Sequence, residues 1–306
     1  MKAVRVNEFG GPDVLKIEEI EIPIPKDDEV LIKVAYAGVL PIDWKIRQGK
    51  AGKKRFPYTP GIAASGIIEQ IGKDVTDFKV GDAVFGRTKR GAYKEKATIP
   101  VTTLNHKPKH LSFEHAATII AGAETAWKAL FTQGDLQAGQ RVLIHAAAGG
   151  VGHYAVQLAK WKGAEVIGTA SAANQSFLKE LGADQTIDYK QQRFEEEVAD
   201  VDLVIDLIGG ETQDRSWDVI KPGGKLVSLV GIHNPQAAVE HGVQGIDNQE
   251  SPTLSELDQL AELMAEGTIK TEIKKIYPLE KVQEAALQSE TGHGRGRILL
   301  KVTAEG

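Results

Sequence analysis

Between residues 141 and 231, short apolar runs of strand character alternate with stretches of helical period. RVLIHA (141–146), EVIGTA (165–170), TIDY (186–189), DLVIDLI (202–208) and GGKLVSLVG (223–231) read as strands. GVGHYAVQLAKW (150–161), NQSFLKELG (174–182) and ETQDRSWDVI (211–220) read as helices. Strands joined by helices of about ten residues require right-handed βαβ crossovers. The order therefore implies an α/β fold with a doubly wound parallel sheet.

The first hundred residues follow another rule. LKIEEIEIPIP alternates apolar and polar residues, and VLIKVAYAGV follows the charged turn KDDE. SGIIEQIG and DAVFG are further short runs separated by Gly, Pro and Asp. These features predict a compact, partly open β-barrel. SFEHAATIIAGAETAWKAL (112–130) has helical spacing, with Ser112 as N-cap candidate. Residues 233–252 are polar and read as loop, SELDQLAELMAEG (255–267) as helix, and RGRILLKV (295–302) as a closing strand.

HAAAGGVGHYAVQLAK (145–160) joins one of these strands to a helix. Its turn reads A-x-G-x-x-G on Ala147, Gly149 and Gly152. A small residue at 147 permits a tight turn, Gly149 lets backbone approach a pyrophosphate, and Gly152 lets the helix pack closely on the strand. Gly150 and Val151 lie inside the same turn, where free N–H groups and the helix dipole favour anions. The predicted inner face of the helix is Val151, Ala155, Leu158 and Ala159. A glycine-rich turn in another α/β domain is the competing reading.

The next strand addresses which dinucleotide binds. Binders of NAD usually carry an acid at its end. Here it ends GTASAANQ, with no acid between Gly168 and Leu178, which favours NADPH. Ser171, Asn174 and Tyr189 are candidates for the 2′-phosphate, with Lys190 as a possible cation; the alternative is ordinary loop residues.

The chain has 306 residues and a net charge of −5, and contains no cysteine. It therefore lacks disulfides, thiolate nucleophiles and cysteine-ligated zinc. The mild acidic excess gives no reason to expect nucleic acid as partner. Lys53-Lys54-Arg55 reads as a solvated basic loop. No apolar run reaches membrane-span length, and MKAVRVNEFGG lacks a signal-peptide core, so a cytoplasmic protein is expected.

GVLPIDWKIRQG, PYTPGIAASGIIEQIGKDVTDFKVGDAVFG, AAAGGVG, LKELGAD, VDLVIDLIGG, KPGGKLVSLVG and GRGRILLKV together resemble the zinc-independent quinone oxidoreductases of the medium-chain dehydrogenase/reductase superfamily. PIDWKIRQG and TASAANQSFLKELGAD are most similar to the alkenal/enone reductase branch. The resemblance implies a GroES-like β-barrel catalytic domain plus a Rossmann doubly wound parallel-sheet domain, with the nicotinamide between them. The expected division is 1–121, completed by 268–306, around an inserted 122–267 Rossmann domain. A homodimer is also implied. Zinc members carry ligands where this chain has Leu40, Ile62 and Ala63, so no metal is expected; His106, His110 and His115 lie in or near the loop HKPKH and are not read as ligands. Family quinone reductases often have Asn at Leu40, so the pocket here is more apolar.

By the same resemblance, Thr125 is a candidate contact to nicotinamide or ribose, and Val230, Gly231 and Ile232 border the ring. Arg295 and Arg297 lie where some members place a basic residue near the cofactor; a solvated strand end is the alternative. Leu40, Asp43 and Trp44 belong to the substrate-pocket motif, with Asp43 expected to hold its loop. Tyr58 is the nearest candidate proton donor, against a packed loop tyrosine.

The implied reaction is NADPH-dependent hydride transfer to a quinone or α,β-unsaturated carbonyl, a small-molecule electron acceptor. Such conjugated acceptors need orientation and hydrogen bonds to a developing oxyanion rather than a strong Lewis acid. Two alternatives stand beside it: a non-catalytic NADPH-binding protein, and an enoyl-thioester reductase in which Lys53, Lys54 and Arg55 contact a carrier phosphate. No G-x-S-x-G elbow or P-loop motif is present.

Overall fold

The computed structural model describes residues 1–247, 251–292 and 294–303. The strands are β1 (Lys2–Val6), β2 (Leu15–Glu19), β3 (Glu29–Val39), β4 (Ala63–Ile71), β5 (Ala83–Arg87), β6 (Lys96–Pro100) and β7 (Leu104–His106). They continue with β8 (Arg141–Ile144), β9 (Glu165–Ala170), β10 (Gln185–Asp188), β11 (Val201–Asp206), β12 (Ile220–Ser228), β13 (Gln244–Asp247), β14 (Ile273–Pro278) and β15 (Arg297–Lys301).

The alternating region forms a six-stranded sheet in the order β10-β9-β8-β11-β12-β13. Every neighbouring pair is parallel. Renumbered from β8, the order is 3-2-1-4-5-6, so the chain reverses direction between β8 and β11, where open α/β sheets leave their ligand crevice. Val142, Leu143 and Ile144 of β8 are fully buried, as a strand covered on both faces should be.

The other sheet runs β14-β15-β3-β4-β5-β7, with β6 pairing β3. β15 is antiparallel to β3, with Ile298 opposite Val39 and Leu299 opposite Gly38. The chain thus leaves the first sheet, builds the parallel one, and returns to close the first. Its barrel-side core contains Val4, Val30, Ile32, Ile68, Val84 and Leu300.

Local chemistry accounts for several boundaries. Ser112 Oγ accepts the His115 N–H and starts the helix Phe113–Ala116. Thr253 and Glu256 form a reciprocal capping box at the start of helix Leu254–Ala265. Gly152 permits a close approach: a Cβ there would lie 2.4 Å from Ala146 O and 2.7 Å from Ala147 Cα. Gly152→Ala is therefore expected to lower stability by about 1–3 kcal/mol, read as a fall in denaturation midpoint.

Four expectations need correction. The 112–130 stretch is not one helix; it breaks at Ile120 (ψ 130°) and Ala121 (φ 55°). Glu124 Oε2 accepts the Ala121 N–H, and the Ile120 and Ala121 carbonyls turn toward Arg297. Residues 233–252 are not simply loop: helix Pro235–Glu240, with Asn234 accepting from Ala237 N, leads into β13. Ala237, Ala238 and Val243 bury that segment against Trp217; residues 248–250 lie outside the described set. The alternation in LKIEEIEIPIP yields a strand only to Glu19. Finally, helix Gly152–Lys162 is buried beyond one face, because residues 270–272 cross it. Gln157 exchanges hydrogen bonds with the Lys270 backbone, and the Glu272 N–H donates to His153 Nε2.

Candidate functional site

The turn after β8 lies at the reversal of the sheet. Ala147 is fully buried there, and Gly149 and Gly150 face open space apart from one backbone oxygen each and the Arg297 side chain. The helix that follows presents its first N–H groups to this crevice. His153 anchors the turn: its Nδ1–H donates to Gly149 O at 2.7 Å, while Nε2 accepts from Glu272. Burial holds this imidazole neutral, with its pKa pushed down to about 4.

Arg297 is the most unusual charge in the molecule. It is only 5 % exposed, not a solvated strand end. Continuing the β15–β3 register sets it opposite Leu40. Its guanidinium lies beneath three glycines: a Cβ at Gly122 would be 2.9 Å from Cζ, one at Gly150 3.5 Å from Cδ, and one at Gly38 3.7 Å from Nη2. Nη1 donates to Ala121 O at 3.1 Å and Nη2 reaches Ile120 O at 3.5 Å, while Nε is buried without a partner. No carboxylate among the described residues forms an ion pair with it. Burial lowers its pKa from the usual arginine value, opposed by the nearby Tyr154, Asp43 and Tyr93. A buried cation with no ion pair among the described residues, beside a glycine turn built for an anion, fits a dinucleotide pyrophosphate. Arg295 differs: it pairs with Glu272 at 3.1 Å and lies over the Phe177 ring at the surface.

The other cofactor candidates gather along the same sheet edge. Ser171 follows β9, Asn174 Nδ2 donates to Ser171 Oγ at 3.3 Å, and Tyr189 N–H donates to Ala170 O. The parallel register places the ends of β9 and β10 side by side, Asp188 opposite Ala170. Tyr189 is 56 % exposed, leaving its phenol free for a ligand. Lys190 is exposed, and its N–H donates to Asp188 Oδ1. Val230, Gly231 and Ile232 follow β12. Sequence reasoning missed what fixes them: buried Asp206 accepts from Gln213 and Ser228, and Gln213 also donates to Gly231 O. The acid in VDLVIDLIGG was visible, but its partners lie seven and 22 residues away. Thr125 is half-buried on helix Glu124–Trp127, locked by an Arg87–Glu124 ion pair at 2.7 Å.

Asp43 holds its loop. Oδ2 accepts from Leu40 N at 2.9 Å and from Tyr93 Oη at 2.8 Å. Burial still dominates, pushing its carboxyl up to about 6. The folded state therefore retains a proton between about pH 4 and pH 6 that the unfolded state has released, so this group's contribution falls as pH rises. Relative to Asp43→Asn, the wild type should lose thermal stability across that window and then level off above it. A constant difference from pH 4 to 7 would contradict this.

Leu40 is buried at the start of helix Pro41–Arg47. Trp44 lines a narrow, mostly apolar cavity together with Leu40 and Asp43, closed by Leu15, Val282 and Ala286. Tyr58 packs beside Phe56, and its hydroxyl is buried without a partner. Burial raises its phenol to about 12, so it is a donor rather than a base. Leu40, Ile62 and Ala63 offer no zinc-binding atom, and His106 stacks on Phe78 apart from His115, which lines a separate cavity with Met264. No cluster among the described residues could hold a metal ion.

Comparison with known proteins agrees with this architecture. Residues 26–109 match the alcohol dehydrogenase GroES-like domain, and residues 181–300 match the zinc-binding dehydrogenase model. The chain is 34 % identical to quinone oxidoreductase of Mus musculus, covering 98 % of this chain and 97 % of that one. The chain belongs to the quinone oxidoreductase family. Another relative of this quinone oxidoreductase family member, the chloroplastic NADPH-dependent alkenal/one oxidoreductase of Arabidopsis thaliana, is 34 % identical over 98 % of the chain and 79 % of its own length. The Escherichia coli quinone oxidoreductase structure complexed with NADPH superposes with a TM-score of 0.90 at 29 % identity, covering 99 % and 100 % of the two chains.

Proposed function

We propose that the protein is an NADPH-dependent oxidoreductase that transfers a hydride to a quinone or an α,β-unsaturated carbonyl without zinc. The observation that carries this reading is Arg297, a buried guanidinium with no ion-pair partner among the described residues, beneath Gly150 of the A-x-G-x-x-G turn. The relatives named above supply the reaction class.

Ala147, Gly149, Gly150, Val151 and Gly152 would hold the pyrophosphate with Arg297. Ser171, Asn174 and Tyr189 would hold the 2′-phosphate, and Thr125, Val230, Gly231 and Ile232 the nicotinamide end. The bound coenzyme supplies the hydride. Leu40 gives the acceptor an apolar wall, and the Asp43–Tyr93 pair fixes the backbone that carries it. Tyr58 remains the candidate donor to the acceptor oxygen, since its hydroxyl has no hydrogen-bond partner among the described residues. Leu40, Ile62 and Ala63 would leave a catalytic zinc without ligands, which supports metal independence.

The division at 121/122 and 267/268 belongs to the same reading, supported by the return of β14 and β15 to the barrel sheet. So does a cytoplasmic homodimer; β13 pairs only with β12 and leaves an edge free among the described strands. No helix among the described residues is long and apolar enough to cross a membrane.

Anaerobic NADPH oxidation should proceed with at least one member of a quinone and enone panel, and should persist after dialysis against EDTA. Failure with every activated acceptor would overturn the proposal. NADPH binding without any turnover would instead favour the non-catalytic reading.

A further inference from the structure

We propose that the segment following helix Pro41–Arg47 is a cationic and aromatic rim that selects elongated acceptors bearing a phosphate handle; this rests on the hydride-transfer reading above. Residues 41–59 contain six cations, Lys45, Arg47, Lys50, Lys53, Lys54 and Arg55, and one acid, Asp43, in a chain whose net charge is −5. Asp43 is committed to Leu40 and Tyr93. Glu290, the carboxylate reaching this region from helix Val282–Glu290, is taken by Arg47 and Gln48. The other five cations have no carboxylate partner among the described residues, and residues 53–55 are exposed.

Aromatic rings sit among these charges. Lys45 and Lys50 lie 5.8 and 5.7 Å from the Trp44 ring, and Lys54 lies 5.7 Å from the Tyr58 ring. Phe9 and Phe56 meet edge to face at 4.8 Å, yet remain 49 % and 37 % exposed. The exposed Phe9 and Phe56 rings, on a surface whose cations lack carboxylate partners, suit a phosphorylated group with a planar base better than an uncharged small molecule.

The geometry also sets a length. The N-terminal end of helix Pro41–Arg47 adjoins Leu40, opposite Arg297 and the coenzyme turn. Its seven residues span about 10 Å, and the basic loop begins only at its far end. An acceptor reacting near Leu40 must therefore extend about 10 Å to reach the far end of the rim, while Lys54 lies nearer, beside Tyr58. Short quinones and alkenals cannot do so; an enoyl thioester on a phosphopantetheine or nucleotide handle can. The handle adds binding and steering while the hydride step itself is unaltered.

The test compares three crotonyl thioesters with the same reacting double bond: on N-acetylcysteamine, on 4′-phosphopantetheine and on coenzyme A. Both phosphorylated substrates should exceed the neutral one in kcat/KM by about 10-fold or more, mainly through KM. A further gain for coenzyme A assigns the rings to the base; equal values assign recognition to the phosphate alone. In Lys53→Glu/Lys54→Glu/Arg55→Glu the charged-to-neutral ratio should fall toward one. It should fall likewise in Lys45→Gln/Lys50→Gln and in 0.5 M salt. Equal kcat/KM for charged and neutral thioesters, or a ratio untouched by both variants, overturns the proposal. Calorimetric binding of unreactive butyryl-coenzyme A reads the rim without turnover. If no acceptor oxidises NADPH but butyryl-coenzyme A binds and the triple variant abolishes it, the reaction assignment fails and the rim stands.

Discussion

Arg297→Met is expected to weaken NADPH binding by about 100-fold while changing apo-protein stability by less than about 1 kcal/mol. Hydrogen bonds to a charged group contribute about 1.5–3 kcal/mol, and 1.4 kcal/mol is a factor of ten. Methionine fills much of the same volume beneath Gly38, Gly122 and Gly150. It also removes an ion whose burial is costly without a counter-charge. The carbonyls of Ile120 and Ala121 lose their donors, which offsets that relief. Fluorescence titration and thermal melting separate the outcomes. Unchanged coenzyme affinity with a collapsed melting temperature would make Arg297 a structural strut instead.

Ser171→Asp should reverse the coenzyme preference. The residue directly follows β9, beside Asn174 and the end of β10. A carboxylate at that point suits a ribose 2′-hydroxyl and repels a 2′-phosphate. The expected result is a loss of about 100-fold in NADPH affinity, with NADH affinity held or improved. Two charges about 4–5 Å apart near a protein surface interact by about 3–4 kcal/mol, ample for that loss. Equal weakening of both coenzymes would place the 2′-phosphate elsewhere.

The legible parts of this molecule were those encoded locally. The β8 turn announced itself because Ala147, Gly149 and Gly152 are spaced by the needs of one backbone path, and Gly152 indeed admits no Cβ. Strand alternation fixed the parallel sheet because period and length distinguish crossovers from hairpins. What stayed hidden depends on distant partners. Arg297 was a cofactor candidate through the resemblance alone, and its burial stayed hidden because its glycine lid comes from residues 38, 122 and 150. The break at Ala121 was invisible because its cause, Arg297, lies 176 residues away. Residues 233–247 read as loop because their polar surface outweighs the few alanines and valines packed on Trp217. Leu40, Asp43 and Trp44 share a motif and line one cavity, but its remaining wall, Leu15, Val282 and Ala286, comes from distant segments and was not legible locally.

The central claim is that a reduced dinucleotide is held between the β8 turn and Arg297. Equilibrium titration of the purified, EDTA-treated protein with NADPH and with NADH tests it most directly. The account predicts saturable binding of one NADPH per chain, tighter than NADH, and sharply weakened in Arg297→Met. Absence of binding by either coenzyme, or undiminished NADPH affinity in that variant, would contradict it.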